Sequence, residues 1–296
     1  MSDGPDLRTA APTVCVVGLG LMGRPAARRL AEAGVVVRGW NRSPLDPALA
    51  HGIEQVATLA EAAAADVVLL LLADSASTGE VLAALDPHLR RGSVVLDMGS
   101  SDPVDTRRRA ADLTARGIGW VDAPVSGGPE KTVTGELAIM AGGSAEDVGR
   151  VWPVLAALGG AVTHVGGAAT GHTMKIVNQV IVGLSVETVA EALALAEAAG
   201  FTVPEVQEAV RGGNADNAQI RVMGNRMGAR YYDPPAAKVR TMLKDLRLAQ
   251  RLAAELGLVL PLLEVAAAQY AALAERGDAD KDVSLLIELL RPPAHS

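Results

Sequence analysis

The fold is decided by one stretch near the start of the chain, Thr13-Val14-Cys15-Val16-Val17-Gly18-Leu19-Gly20-Leu21-Met22-Gly23. Its first five residues are mostly apolar and rich in β-branched side chains, which predicts a short buried strand. A helical pattern follows over residues 21–33, and residues 35–40 have the pattern of a second strand. Strand, glycine-rich turn, helix and strand within about 28 residues are typical of a dinucleotide-binding unit.

The six residues Gly18 to Gly23 form the candidate cofactor loop. Gly18 allows a tight turn, Gly20 lets the backbone approach a pyrophosphate, and Gly23 lets the helix lie close to the strand. The first N–H groups of the helix then face the phosphates. We therefore predict that all six residues bind the cofactor, Leu19, Leu21 and Met22 included. The alternative is a glycine-rich turn without a ligand.

The residues after the second strand indicate which dinucleotide binds. An NAD site usually has Asp or Glu here, and its carboxylate binds the ribose 2′-hydroxyl. This chain has Asn41, Arg42 and Ser43, with no acid before Asp46. Arg42 can pair with a 2′-phosphate and stack on adenine, while Asn41 and Ser43 can add hydrogen bonds. The pattern favours NADP, although NAD stays possible if Arg42 is only an exposed loop arginine.

Strands and helices alternate up to residue 168, which predicts a Rossmann-type doubly wound α/β sheet over residues 13–168. The further strands are expected at 67–72, 93–97, 119–122, 137–140 and 162–165, and the helices at 59–65, 77–85, 104–116 and 145–158. Ligands of such sheets bind outside the carboxyl ends of the parallel strands. Leu72, Ala73 and Asp74 should therefore border the cofactor, whereas Asp102 has the position of a helix N-cap.

The segment Ser126-Gly127-Gly128 follows another predicted strand. Such a turn presents bare backbone N–H groups and a hydroxyl, which suit a substrate carboxylate. Two alternatives are a purely structural turn and a nucleophilic Ser126. Pro124 stands two residues before that serine, so the segment lacks the G-x-S-x-G pattern of a nucleophile elbow.

After residue 168 the pattern becomes helical, which predicts an all-α domain over residues 169–296. Its first helix, residues 170–199, is about 45 Å long and joins the two domains. The first half of this helix is apolar on nearly every side, so we expect it to be buried all round, in part at a subunit interface. Further helices are expected at 204–211, 218–227, 236–256, 261–276 and 284–290.

Lys175 and Asn178 are three residues apart near the start of that long helix, so they share a face. A lysine near the N-terminus of an apolar helix can have its pKa lowered toward neutrality, as a general acid/base requires. The amide of Asn178 can hold a substrate hydroxyl or carbonyl beside it. The alternative is an ordinary surface lysine. For Lys244-Asp245-Leu246, in a later amphipathic helix, the alternative is a solvated charged face.

Composition and net charge indicate which classes of partner, location and metal site are disfavoured. A net charge of −7 and an aromatic content of 2% disfavour nucleic acid and anionic membranes as partners. The longest apolar run, residues 67–73, is too short to span a bilayer. Cys15 is the single cysteine, which fits a reduced, cytoplasmic setting, and no histidine spacing suggests a metal site. Residues 1–12 predict a disordered leader rather than a signal peptide.

Four motifs together resemble the β-hydroxyacid dehydrogenase family, relatives of 6-phosphogluconate and 3-hydroxyisobutyrate dehydrogenases. They are Gly18–Gly23, Asp122-Ala123-Pro124-Val125-Ser126-Gly127-Gly128, Gly171-x-x-x-Lys175-x-x-Asn178-Gln179 and Lys244-Asp245-Leu246. They occur in the family's order and span nearly the whole chain past residue 12. The likeness is greatest to the branch of tartronate semialdehyde (2-hydroxy-3-oxopropionate) reductases.

The resemblance implies a Rossmann domain, an all-α domain and an active cleft between them. Lys175 then matches the catalytic lysine and Asn178 its partner amide, with Gln179 beside the substrate. Ser126, Gly127 and Gly128 match the turn that holds the substrate carboxylate. Ser100 falls where the family has a hydroxyl near the nicotinamide, and Lys244 matches the lysine that closes over the cofactor.

The predicted function is NADP-dependent interconversion of a small β-hydroxy acid and its semialdehyde or keto form, by a homodimer or homotetramer. Two departures from the family matter. Asn41 and Arg42 replace the acid found in several members, and the loop around Ser100 is shifted from the commoner pattern. One alternative is an NADPH-dependent imine reductase, although such relatives typically replace the lysine with Asp or Tyr. The other is a non-catalytic binding protein with the same fold.

Overall fold

The computed structural model describes residues 12–50 and 52–291, apart from the side chain of Pro47. The chain divides into two compact units, residues 1–175 and 176–296. The predicted disordered leader lies almost entirely outside the described residues, as do two of the five histidines, His51 and His295. The predicted domain boundary at residues 168 and 169 stays a prediction.

A nine-stranded sheet forms the centre of the first unit. Its strands are β1 (Val14–Val17), β2 (Val37–Trp40), β3 (Glu54–Gln55), β4 (Val67–Leu70), β5 (Val94–Asp97), β6 (Gly119–Asp122), β7 (Val125–Ser126), β8 (Leu137–Gly143) and β9 (Gly159–Gly166). Their order is β3-β2-β1-β4-β5-β6-β8-β7, with β9 paired to β8. Strands β1 to β6 are parallel, β8 runs antiparallel to β6 and β7, and β9 runs parallel to β8.

Helices cover both faces of this sheet. They are α1 (Gly23–Glu32), α2 (Pro47–Ala50), α3 (Leu59–Ala62), α4 (Ser75–Leu85), α5 (Pro103–Thr114), α6 (Gly128–Thr134) and α7 (Ala145–Leu158), with a short 3-10 helix at Asp86–His88. Successive side chains of β1 point to opposite faces. Val14 and Val16 therefore join one apolar core, while Cys15 and Val17 join the other. This two-faced burial explains why the strand is apolar throughout.

The prediction of a doubly wound α/β sheet followed by a helical domain is confirmed by these elements. Five short elements were not predicted: β3, β7, α2, α6 and the 3-10 helix at Asp86–His88. The two strands have two residues each and the two α-helices have four and seven, too few to produce a hydrophobic period. Asp102 is the N-cap of α5, as predicted, since its Oδ1 accepts the Val104 N–H at 2.9 Å.

The second unit is helical. Its elements are α8 (Thr170–Ala198), whose first six residues belong to the first unit, α9 (Val203–Val210), α10 (Ala218–Gly228), α11 (Val239–Glu255) and α12 (Pro261–Leu273), followed by a π-helical turn (Ala274–Asp278) and a 3-10 helix (Val283–Leu289). One apolar cluster forms its core. In that cluster Val186 and Leu193 of α8 pack with Leu246 of α11 and Tyr270 of α12.

The first half of α8 is partly exposed in the single chain, so the expectation that it is buried all round, in part at a subunit interface, stays a prediction. Met174, Val177 and Ile181 are exposed and lie three and four residues apart, so they form one apolar stripe. By length and composition alone, α8 would also qualify as a membrane span. Its opposite face belongs to the core of the second unit and it carries Lys175 and Glu187, which is the pattern of a core helix.

Candidate active site

The carboxyl ends of β1, β2, β4, β5 and β6 lie along one edge of the sheet because these strands are parallel. The strand order reverses between β1 and β4, which makes that point the expected ligand crevice. The candidate cofactor loop follows β1, and Leu71 follows β4. The two loops are in contact, because a Cβ atom at Gly18 would lie 2.5 Å from the Leu71 carbonyl oxygen.

The three glycines of the cofactor loop have different surroundings. Gly18 has a φ of +100°, a backbone conformation that favours glycine. A Cβ atom at Gly23 would lie 1.9 Å from the Gly18 carbonyl oxygen, so α1 can begin there only with glycine. A Cβ atom at Gly20 would meet nothing within 4 Å. The loop therefore packs tightly at Gly18 and Gly23 and leaves open space at Gly20, which is the side a pyrophosphate would approach.

Asn41 joins the end of β2 to the cofactor loop. Its Oδ1 accepts the Leu19 N–H at 3.1 Å, and its Nδ2 donates to the Ser43 carbonyl oxygen at 2.8 Å. Arg42 is highly exposed, and its guanidinium lies 3.5 Å from the Glu80 carboxylate on α4. Any anion that approached Arg42 would therefore compete with Glu80. The sequence did not predict this acidic neighbour.

The other residues predicted to border the cofactor lie in the loops after β4 and β5. Leu72, Ala73 and Asp74 lead into α4, and Asp74 caps that helix by accepting the Ser77 N–H at 2.8 Å. Ser100 follows β5 and is half-buried. The next hydroxyl, Ser101, is buried and donates to Asp97 Oδ2 at 2.8 Å. Since Ser101 is occupied, Ser100 is the better candidate for a hydroxyl facing a ligand in this loop.

The predicted carboxylate turn is a strand-to-helix junction. Ser126 ends β7, and Gly128 begins α6. Gly127 and Gly128 have φ values of +134° and +72°, which direct successive N–H groups in a way that side-chain-bearing residues rarely allow. The prediction of a turn is thus corrected at Ser126, whose backbone pairs with Ala138 of β8. This pairing fixes the position of the serine.

Lys175, Asn178 and Gln179 lie on the first three turns of α8, and all three are half-buried. Within the second unit, Asn178 Nδ2 donates to Gln179 Oε1 at 3.0 Å, and Gln179 Nε2 donates to Asp245 Oδ2 at 2.6 Å. The other oxygen of Asp245 lies 3.2 Å from Lys244 Nζ. A continuous polar chain therefore links the third motif to the fourth.

The burial of Asp245 and its hydrogen bond to Gln179 were not predicted from the sequence. A solvated charged face was one interpretation of Lys244-Asp245-Leu246, but Asp245 is only 4% exposed and accepts the Gln179 amide. That interpretation is wrong for Asp245. Among residues 12–50 and 52–291, no group of three or more His, Cys, Asp or Glu side chains is arranged to hold a metal ion.

Comparisons with known proteins agree with this arrangement of motifs. Residues 13–166 match the family described as the NAD-binding domain of 6-phosphogluconate dehydrogenase. Residues 169–290 match the family described as NAD-binding of NADP-dependent 3-hydroxyisobutyrate dehydrogenase. Together the two matches cover nearly all of the described chain.

Individual relatives are similar over their whole length. The chain is 35% identical to 2-hydroxy-3-oxopropionate reductase of Escherichia coli K12, covering 93% of this chain and 95% of that protein. It is 30% identical to NAD-dependent L-serine dehydrogenase of Pseudomonas aeruginosa, with coverages of 94% and 98%. The solved structure of Mycobacterium tuberculosis 3-hydroxyisobutyrate dehydrogenase with L-serine has a TM-score of 0.86 and 30% identity, with coverages of 96% and 100%. This chain therefore belongs to the β-hydroxyacid dehydrogenase family of NAD(P)-dependent oxidoreductases.

Proposed function

We propose that this protein interconverts a small β-hydroxy acid and its semialdehyde or keto form with NADP(H), and that Lys175 is the general acid/base. The arrangement at the start of α8 carries the proposal. Lys175 and Asn178 are three residues apart on one continuous helix, so an amine and an amide share a face one turn apart. An amine that exchanges a proton and an amide that orients an oxygen are what this reaction requires.

During reduction, Lys175 donates a proton to the oxygen of the substrate carbonyl, and in the reverse direction it accepts that proton. Asn178 orients the same oxygen. The Asn178 Nδ2 donates one of its two N–H groups to Gln179. The other N–H and the side-chain carbonyl oxygen are left for the substrate. Because Gln179 is itself held by Asp245, the orientation of the amide pair is fixed before the substrate arrives.

The carboxyl edge of the sheet fits a nicotinamide dinucleotide. The backbone at Gly20 is open to an approaching pyrophosphate. The Leu19 N–H is already held by Asn41, so the phosphate contacts fall to the N–H groups that follow it. When bound, the nicotinamide supplies a hydride to the substrate carbon or accepts one from it. Ser100 stands in the loop after β5, and Lys244 is the second-unit cation assigned to the cofactor by the family resemblance.

The substrate class follows from the candidate carboxylate turn and from the names of the relatives. Ser126, Gly127 and Gly128 offer a hydroxyl and N–H groups suited to one carboxylate. The Escherichia coli relative is a 2-hydroxy-3-oxopropionate reductase, and another relative is an L-serine dehydrogenase. We therefore place tartronate semialdehyde first and 3-hydroxyisobutyrate second, with L-serine as a further β-hydroxy acid to test.

A substrate panel tests this proposal. NADPH oxidation is followed with tartronate semialdehyde, methylmalonate semialdehyde, succinate semialdehyde, glyoxylate and a cyclic imine. We expect turnover of a β-semialdehyde acid and little or none of the imine. The imine reductase alternative predicts the opposite order and indifference to Lys175. A non-catalytic binding protein would bind NADPH and turn over none of the five compounds.

Cofactor preference gives a separate prediction at Arg42. Arg42→Asp should raise the KM for NADP roughly tenfold or more while the KM for NAD changes little, because charge-assisted bonds to the 2′-phosphate are lost. Steady-state kinetics with both cofactors measure the ratio. Equal losses for NADP and NAD would contradict the assignment of Arg42 to the 2′-phosphate.

Glu80 provides the matched control for that experiment. Its carboxylate lies 3.5 Å from the Arg42 guanidinium, so Glu80→Gln removes a competing anion without removing the arginine. We expect Glu80→Gln to lower the KM for NADP, the opposite direction from Arg42→Asp. Both side chains are well exposed, so the effect should weaken at high ionic strength.

The exposed apolar stripe of Met174, Val177 and Ile181 supports assembly into a homodimer or homotetramer. Light scattering of the purified protein measures that state directly. We also keep a cytoplasmic location as part of the proposal, because the lone Cys15 is buried and its pKa is raised to about 12 by burial, which suits an inert thiol in a reducing compartment.

A further inference from the structure

A buried polar cluster lies beneath the start of α8, within the first unit. Asp97 and Asp122 end the neighbouring strands β5 and β6, pair in register and are fully buried. His172 of α8 is 1% exposed and packs with them. The proposed chemistry uses none of these three side chains. They nevertheless lie directly below the turn that carries Lys175, three residues after His172.

Asp122 holds the start of α8 through two backbone groups. Its Oδ1 accepts the Ala169 N–H at 2.7 Å, and its Oδ2 accepts the His172 N–H at 2.9 Å. The first N–H groups of a helix have no partner within the helix, so a carboxylate from β6 supplies what a local cap normally would. Ala169 has a φ of +71°, which a residue with a side chain adopts only when its surroundings enforce it.

The helix start also lies against the sheet with no free space. A Cβ atom at Gly171 would lie 2.3 Å from the Asp122 carbonyl oxygen and 2.4 Å from the Met140 carbonyl oxygen. The backbone of α8 therefore touches β6 and β8 directly. Contact at this distance fixes the height of the first helical turn above the sheet.

His172 fixes the rotation of that turn. The single O–H of Thr106 donates to the Asp102 carbonyl oxygen at 2.9 Å, so its oxygen is left to accept from His172 Nδ1–H, also at 2.9 Å. The other ring nitrogen, Nε2, lies 3.8 Å from Asp97 Oδ2. Asp97 is itself held by the Gly99 N–H and the Ser101 hydroxyl. Nε2 has no hydrogen-bond partner among the described residues, so the ring is oriented by its bond to Thr106 of α5 and packs against Asp97 of β5.

We propose that Asp122 and His172 are positioning residues for Lys175, because they set the height and rotation of the helical turn that carries its amine. The inference rests on the proposed role of Lys175 as general acid/base. Misplacement of a catalytic group by about 1 Å can cost up to roughly a hundredfold in rate. Because two strands and a neighbouring helix hold the first turn of α8, the Lys175 amine should be displaced little from its productive position.

Two substitutions of Thr106 give the sharpest test, because they change the hydrogen-bond partner of His172 without altering any residue of α8. Thr106→Val keeps the shape and removes the hydroxyl, whereas Thr106→Ser keeps the hydroxyl. With the substrate found in the panel, we expect Thr106→Val to lower kcat roughly tenfold with little change in the KM for NADPH. Thr106→Ser should restore most of the rate. His172→Gln should behave like Thr106→Val.

Two further readouts separate positioning from stability. The isotope effect on kcat with deuterated NADPH should rise in Thr106→Val, because a displaced lysine makes the chemical step slower. In the protein without cofactor, hydrogen exchange should speed up in a peptide covering residues 169–175. Ser93→Ala is the matched control, since it removes a buried hydroxyl at the other end of β5. It should change neither readout.

Several outcomes would overturn the inference. One is a Thr106→Val variant that loses melting temperature like Ser93→Ala but keeps its kcat. Another is a rise in the KM for NADPH that parallels the fall in kcat, which would indicate general disruption. A Lys175→Ala enzyme with near-normal turnover would instead refute the proposed function itself. That result is distinguishable, because it appears without any change at Thr106 or His172.

Discussion

Lys175→Ala is expected to lower kcat by roughly 10²- to 10⁴-fold, the usual contribution of a general acid/base. The amine supplies the proton that the substrate oxygen needs, and no other group is assigned to that step. Binding of NADPH should remain, since the dinucleotide is assigned to the loops after β1, β2 and β4. Stopped-flow or steady-state kinetics give kcat, and fluorescence titration gives the NADPH Kd.

Two companion variants make the result specific. Lys175→Met keeps the length and apolar stem of the side chain, so it separates loss of the amine from loss of packing. Lys281→Ala removes a half-exposed lysine paired with Asp233 in the second unit and should leave kcat unchanged. If Lys175→Met retained most of the wild-type rate, Lys175 could not be the proton donor.

The alternating part of the fold was predictable because its strands are buried on both faces. The run Val67–Leu70 is apolar at every position, and all four residues are buried in the structure. Helix α7 was predicted with the correct ends, because Ser144 supplies a strong N-cap whose Oγ accepts the Asp147 N–H. Two-residue strands such as β7 have no such signal, since their formation depends on a partner strand distant in sequence.

The parts of the candidate site that a local motif contains were also predictable. The glycine pattern of residues 18–23 predicted tight packing at Gly18 and Gly23, which the structure has. The contacts between motifs were not predictable. Gln179 and Asp245 are 66 residues apart, and Asp97 and His172 are 75 apart, so no spacing rule connects them. His172 looked like one more scattered histidine until the sheet placed two carboxylates beside it.

The exposed stripe on α8 shows a further limit. An all-apolar helix predicts burial, yet Met174, Val177 and Ile181 are exposed in the single chain. A hydrophobic pattern indicates which surface is shielded from water, but it does not indicate which molecule covers that surface. A subunit interface as the source of that covering surface stays a prediction.

Glu187 on α8 gives the second prediction, which concerns stability. The residue is 7% exposed, and neither carboxylate oxygen has a hydrogen-bond partner among the described residues. Burial raises the pKa of Glu187 to about 7, and the negative charge of Glu191 adds to the rise. The folded state therefore holds this proton more tightly than the unfolded state, whose carboxyl keeps the ordinary pKa of 4.5.

The sign of the pH dependence follows from that difference. Below pH 4.5 both states are protonated at Glu187, and the residue costs no folding stability through ionisation. As pH rises from 4.5 to 7, the unfolded state gains by ionising, so the free energy of unfolding falls. Above pH 7 the loss levels off at up to about 3 kcal/mol, the value of a pKa difference of this size. Glu187→Gln removes the ionisation and should be more stable than wild type at pH 8.

Urea unfolding of wild type and Glu187→Gln at pH 5, 6, 7 and 8 measures the difference. The stabilisation by Glu187→Gln should be largest at pH 8 and shrink steadily toward pH 5, where the buried carboxyl of the wild type is protonated. Glu255→Gln, an exposed glutamate at the end of α11, is the matched control and should show no such trend. A difference between wild type and Glu187→Gln that stays constant from pH 5 to pH 8 would mean that Glu187 ionises without cost in the folded protein. The buried carboxylate would then need a partner that stabilises its charge, since burial alone disfavours the ionised form.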